Sequence, residues 1–235
     1  MSHASYDAVV VGAGIVGAAC ADEFSRRGMR VAVVDCEMVG GVATAAGMGH
    51  IVAMDDSNAQ FALTRYSQQL WQTLRPELPA DVEYDQCGTI WVAADEEEMI
   101  EVRRKRDYYG QREVPTEVLD SRTLLRLEPN LRPGLAGGLL VMEDAVLYPP
   151  CAARFLMERA QKRGAMLHLG QPVAEAGQGR VRVTDGSEIS AGIIVNAAGT
   201  GAGNLTPGYA SCDRRSRDGR RWCDSSGHGP YCHHG

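Results

Sequence analysis

The sequence predicts an α/β fold around a parallel sheet, and three observations carry that expectation. Tyr6–Val11 is a short β-rich apolar run, Ile15–Arg27 has helical composition with Gly28 as its C-cap, and Arg30–Val34 is a second apolar run. Strand, turn, helix and strand in that order form a βαβ unit, whose crossover requires parallel strands. Far along the chain, Ile193–Val195 adds a further buried strand that ends at Asn196-Ala197-Ala198-Gly199.

The intervening elements follow from local chemistry. Cys36–Gly49 is rich in small residues and lacks proline, which reads as a loop that approaches something closely. A helix is expected from Ser57 to about Leu74, with Leu63, Tyr66, Leu70, Trp71 and Leu74 packing the core from one side. Val82–Ala94 contains two strand-like pieces around Gly88. Asp95 then reads as an N-cap, with Glu98 three residues on. The helix that follows has acids first and bases last, matching the helix dipole, and its Arg103-Arg104-Lys105-Arg106 cluster reads as a solvated face. Val114–Leu119 is a predicted strand, and Asp120 caps a short helix ending before Pro129. Pro149-Pro150 opens another helix, closed by Gly164. Asp185-Gly186 between Val181–Thr184 and Ser187–Ile189 predicts a hairpin.

The 235 residues are enough for one large domain or two small ones, and 44% hydrophobic with 23% charged residues is ordinary for a globular chain. A net charge of -6 argues against a nucleic-acid partner. No basic segment precedes an apolar one at the N-terminus, and the apolar run Ala8–Cys20 is too short to cross a bilayer. The expectation is a cytoplasmic chain with no transmembrane segment. Cys20, Cys36, Cys87 and Cys151 form no CxxC pair and are expected to be reduced and largely buried.

Gly12-Ala13-Gly14-Ile15-Val16-Gly17 lies between the first strand and the first helix, and the second strand ends at Asp35. That is the full context of a Rossmann-like dinucleotide fingerprint. Gly12 permits a tight turn, Gly14 lets backbone approach a pyrophosphate, and Gly17 lets the helix pack on the sheet. The helix N-terminus around Ile15 and Val16 offers free amides and a positive dipole end to phosphates. Asp35 can accept hydrogen bonds from ribose hydroxyls. This pattern alone leaves FAD and NAD both open.

Several further stretches resemble the D-amino-acid oxidase-type family of FAD-dependent oxidoreductases. Gly40-Gly41-Val42-Ala43-Thr44-Ala45-Ala46-Gly47-Met48 is similar to that family's second flavin loop, and Cys87-Gly88-Thr89-Ile90-Trp91-Val92 to the strand entering its substrate domain. Leu127–Leu131, Tyr148-Pro149 and the Asn196–Gly199 strand end also fit. The resemblance covers about Tyr6 to Pro207. It implies FAD as cofactor, held by Gly12, Gly14, Ile15, Val16, Gly17, Asp35 and Cys36, by Thr44, Ala45, Ala46, Gly47 and Met48, and by Val173, Ala198 and Gly199. It implies hydride transfer from the carbon beside the nitrogen of a small amino-acid or amine substrate. Electrons then pass to oxygen, a quinone or a partner subunit. His50, just after the second loop, is either a polar group near flavin or substrate or a structural histidine. No metal site is expected.

The implied organisation is a Rossmann-like FAD-binding domain (1–80, continued at 145–208) with an inserted, incomplete α+β substrate domain (81–144). Residues 209–235 stand apart. They contain no Leu, Ile, Val, Met or Phe, and five Arg against three Asp make them net +2. A metal-binding tail using Cys212, Cys223, Cys232, His233 and His234 lacks the usual ligand spacing. The composition instead matches an out-of-frame translation of a GC-rich gene, or a disordered tail. Family members continue past the Asn196–Gly199 strand with more of the substrate sheet, so the chain is expected to be C-terminally incomplete and its activity uncertain. A non-catalytic FAD-binding fragment and a flavin subunit of a larger complex are the alternatives.

Overall fold

The computed structural model describes residues 5–205 except 178. In chain order its elements are β1 (Ser5–Val11), α1 (Ile15–Arg26), β2 (Val31–Val34), the single turn α2 (Val42–Ala45), β3 (His50–Ile51), α3 (Asn58–Leu74), β4 (Thr89–Ala93) and α4 (Glu96–Gly110). There follow β5 (Thr116–Asp120), α5 (Ser121–Leu127), β6 (Gly137–Val141), β7 (Ala145–Val146), α6 (Pro149–Lys162), β8 (Met166–His168), β9 (Val173–Gly177), β10 (Arg180–Val183), β11 (Glu188–Asn196) and the short α7 (Ala202–Leu205).

Six strands form one sheet in the order β8-β2-β1-β11-β10-β9. β8, β2, β1 and β11 are parallel, and β10 and β9 extend the sheet as an antiparallel edge. The valine runs of β1 and β2 are buried on both faces, as a covered parallel sheet requires. On one face Val10, Val31 and Val33 meet Ala18 and Ala21 of α1 and Ala153, Leu156 and Met157 of α6. On the other, Val9, Val11, Ala32 and Val34 pack with Ala176 and Val181 from the antiparallel edge.

Residues 89–141 form a separate antiparallel sheet, β4-β6-β5. It is backed by α4, whose Met99, Val102 and Tyr109 pack on Leu139 and Val141. The six-stranded sheet draws its strands from both sides of this segment. A polar node ties the parts together. Buried Asp144 accepts at Oδ1 from Ala53 N–H (3.0 Å) and from Gln68 Nε2 (2.8 Å), and beside it Arg65 pairs with Glu143 at 2.7 Å. Burial pushes the Asp144 carboxyl above its ordinary 3.8, against the pull of its hydrogen-bond donors and Arg65.

Several expectations are corrected. Leu63, Tyr66 and Leu70 of α3 face solvent at 69%, 60% and 47% exposure, and Gln68 is the residue that helix buries. The first strand-like piece of Val82–Ala94 is a 3-10 turn, Ala80–Val82, with a lone bridge at Asp85. The hairpin arm and the last strand are one nine-residue strand, β11, and its Ile193 is 44% exposed. Cys36 and Cys87 are exposed, unlike buried Cys151. Lys105 is not solvated with its neighbours: it pairs with Asp55 and lies 4.1 Å from the Trp91 ring centroid. The expected tail 209–235, with its three cysteines, lies outside the described residues. Among those residues no helix is long and apolar enough to cross a membrane.

Two outcomes test this packing. A Cβ on Gly17 would lie 1.8 Å from Gly12 O, so Gly17→Ala must push α1 off the sheet. It should cost roughly 2–4 kcal/mol, read as a fall in denaturant midpoint. Asp144 has a raised folded pKa, so its favourable contribution is present below the unfolded value and is lost as pH rises through the folded one. Asp144→Asn keeps the Oδ1 acceptor and stays neutral. Its Tm relative to the parent should climb as pH rises above 3.8, and a pH-independent difference would count against this account.

Candidate cofactor site

The three glycines between β1 and α1 serve different needs. Gly12 has φ of 108°, and a Cβ there would meet Ala197 O at 2.3 Å. Gly17 is held against Gly12 O. Both are therefore required by the close approach of β1, β11 and α1. Gly14 is different, because the heavy atom that its Cβ would meet is the Thr44 hydroxyl, at 3.0 Å, and its open side faces a cavity. Gly14 is also the N-cap of α1 and brings no side-chain cap. Thr44 Oγ1 accepts from Ile15 N–H at 3.1 Å, so a hydroxyl sits where the helix end would favour an anion.

Asp35 follows β2 directly. Its Oδ2 accepts from Ala13 N–H at 2.5 Å and its Oδ1 from Glu37 N–H at 2.7 Å. The carboxylate thus fixes the glycine turn, and each oxygen keeps a further lone pair for a hydroxyl donor. Its backbone is pinned as well: Asp35 N–H donates to His168 O, and Gln171 N–H to Asp35 O, each at 2.9 Å. Cys36 beside it is exposed. Desolvation and the adjacent Asp35 carboxylate push its thiol up, so it remains protonated rather than nucleophilic.

The small-residue segment after Asp35 is anchored at both ends. Gly40 N–H donates to Ala13 O, and Leu147 N–H to Gly49 O, both at 3.0 Å. Between the anchors the expected loop contains α2, where Val42 has φ of 48° and is exposed. That region is an outlier for a β-branched residue and costs about 1–3 kcal/mol. The strain places the α2 turn, and with it Thr44, over the helix end.

These segments enclose a cavity of about 770 Å³, within the usual range for small-ligand sites. Among the expected residues, Gly12, Gly14, Ile15, Val16, Asp35, Cys36, Thr44, Gly47, Val173, Ala198 and Gly199 line it, and so does His50. Gly17, Ala45, Ala46 and Met48 do not. Gly17 acts in packing, and Met48 is 77% exposed away from the lining. Trp71, Leu147, Pro149, Thr200, Gly201, Asn204 and Leu205 also line the cavity and were not foreseen; only the fold brings them there. The ionisable groups on the wall are Asp35, Cys36, Glu37 and His50, and no Lys or Arg lines it among the described residues. An anion here would be held by backbone amides and the α1 dipole. A bare Gly14 backbone at a helix end whose N-cap residue brings no side chain, with an acid at one side, fits a dinucleotide.

Comparison with known proteins agrees with that geometry. Glycine oxidase of Geobacillus kaustophilus (strain HTA426) is 28% identical over 216 residues, covering 87% of this chain and 57% of that protein. Hydrogen cyanide synthase subunit HcnC of Pseudomonas aeruginosa is 28% identical, covering 86% of this chain and 60% of that one. The crystal structure of the Geobacillus kaustophilus glycine oxidase superposes with a TM-score of 0.78 at 28% identity, over 87% of this chain and 58% of its own. The chain therefore spans somewhat more than half the length of these relatives. The profile of the DAO family, described as FAD dependent oxidoreductase, matches residues 7–217, and this chain belongs to that family.

Proposed function

We propose that the cavity holds FAD and that the chain is the cofactor-binding part of a cytoplasmic oxidoreductase acting on the C–N bond of a small amino acid or secondary amine. The observation that carries this reading is Gly14, bare backbone facing the cavity at the N-terminus of α1, where the N-cap residue brings no side chain and Asp35 lies beside it. The α1 amides would take the pyrophosphate, Asp35 the ribose hydroxyls, and the Val173 backbone the adenine. Thr44, now bonded to Ile15 N–H, would turn its hydroxyl to the cofactor, and the α2 turn would run along it toward His50. Bound flavin supplies the hydride acceptor, and the protein supplies position and electrostatics.

His50 brings the imidazole on this wall, a ring that can both donate and accept hydrogen bonds. It lies on β3, where it pairs with Val146. A substrate carboxylate finds no cationic partner on the described wall. That supports a division of labour in which these residues hold the cofactor and others hold the substrate. The relative named as a hydrogen cyanide synthase subunit favours a second reading, a flavin subunit completed by a partner chain.

One preparation tests both readings. The purified chain, titrated with FAD, should acquire a flavin absorbance band, and glycine, sarcosine or D-hydroxyproline added anaerobically should bleach it. Bound flavin that no amine bleaches would move the assignment to a non-catalytic cofactor carrier, and bleaching only with a copurified chain would support the subunit reading. Gly14→Ala should leave the melting temperature nearly unchanged, because its Cβ meets only the Thr44 hydroxyl, and weaken FAD binding at least about tenfold by intruding on the phosphate path. Equal FAD affinity in parent and Gly14→Ala would sink the assignment of this turn.

A further inference from the structure

Leu63, Tyr66 and Leu70 lie three and four residues apart on one side of α3, exposed at 69%, 60% and 47%. That side is also free of charge. Arg65 is the charged residue within Asn58–Leu74, and it turns to Glu143 and Gln68, mostly buried. A tyrosine between two leucines on an uncharged helix face has the composition of an interface core.

We propose that α3 packs antiparallel on α3 of a second copy, about a two-fold axis at Tyr66. Along the stripe the chain reads Ala59, Leu63, Tyr66, Leu70, Thr73, which is small, leucine, tyrosine, leucine, small in either direction, and all five are exposed. About such an axis Leu63 of one copy meets Leu70 of the other and the reverse, so leucine packs on leucine on both sides of Tyr66. The small residues at either end let the two helices stay close beyond the leucines. The ends are complementary in charge. Exposed Asp56 precedes the N-cap Ser57, and exposed Arg75 follows Leu74, so antiparallel packing sets each Asp56 beside the other copy's Arg75. Within its own chain Arg75 meets neutral groups, Gln86 Oε1 at 3.2 Å and the Tyr84 ring at 5.6 Å. The two helix dipoles also oppose favourably, and a shallow crossing near +20° keeps the stripe in contact along its length.

Sedimentation of the full chain over a concentration series should show a reversible dimer. Tyr66→Lys should abolish it without changing the far-UV dichroism. Asp56→Arg and Arg75→Asp should each weaken the dimer about tenfold, since the axis breaks the pair twice, and the double exchange should restore it. Tyr66→Cys, on the axis, should crosslink to its own copy under mild oxidation beyond the background from exposed Cys36 and Cys87. A monomer at every concentration overturns the proposal, as does a dimer that ignores Tyr66→Lys and the charge exchange. A monomer that instead binds a different subunit through Leu63 and Leu70 also overturns it.

Discussion

The structure depends on a place where no side chain fits. At Gly12 the end of β1, the end of β11 and the first turn of α1 converge. A single added carbon at Gly12 or Gly17 would overlap a backbone oxygen. This approach sets the angle at which α1 leaves the sheet, and so where its amides point. Asp35 then clamps the turn through Ala13, and Gly40 bonds Ala13 from the other side. The cavity is what remains in front of a junction packed to backbone contact. An anion held there would meet that junction's amides, since no Lys or Arg lines the wall among the described residues.

Where sequence and structure agree, the chemistry is local. The βαβ unit was legible because glycine placement, valine runs and a C-cap each act over a few residues. The same holds for the caps at Asp95 and Asp120, whose side chains accept from the amides three residues on. α3 shows how the reading fails. Trp71 and Leu74 pack on the core as expected, yet Leu63, Tyr66 and Leu70 face solvent, and the fold instead buries Gln68 and Arg65, which find Asp144 and Glu143 in the turn between β6 and β7. Periodicity assumes that burial follows hydrophobicity, and here a satisfied polar node reverses it. β6, β7 and β9 went unseen because they are short and rely on partners elsewhere for their identity.

The site shows the same division. The fingerprint glycines, Asp35 and Thr44 were readable because each does its work near its own position in the chain. Trp71, Leu147 and the Thr200–Leu205 stretch reach the cavity only through α3, the β3–β7 pair and the turn after β11. The strained Val42 left no trace in composition, since valine ordinarily argues for extended backbone. It gives the loop over the helix end a defined shape at an energetic cost, which suits a segment that must meet a ligand closely.

The position of β1 also bears on how the protein comes off the ribosome. β1 lies between β2, its near neighbour in sequence, and β11, which ends at Asn196. One edge can pair as soon as the first βαβ unit is made. The other stays open until most of the chain has been synthesised, on the order of ten seconds later at ordinary translation rates. Throughout that interval one edge of β1, whose Ala8–Val11 half is wholly apolar, is unpaired, which is a template for association with other nascent chains. A nascent chain of this kind has reason to engage a holding chaperone, and its yield on expression should respond more to synthesis rate and temperature than to the stability of the finished sheet.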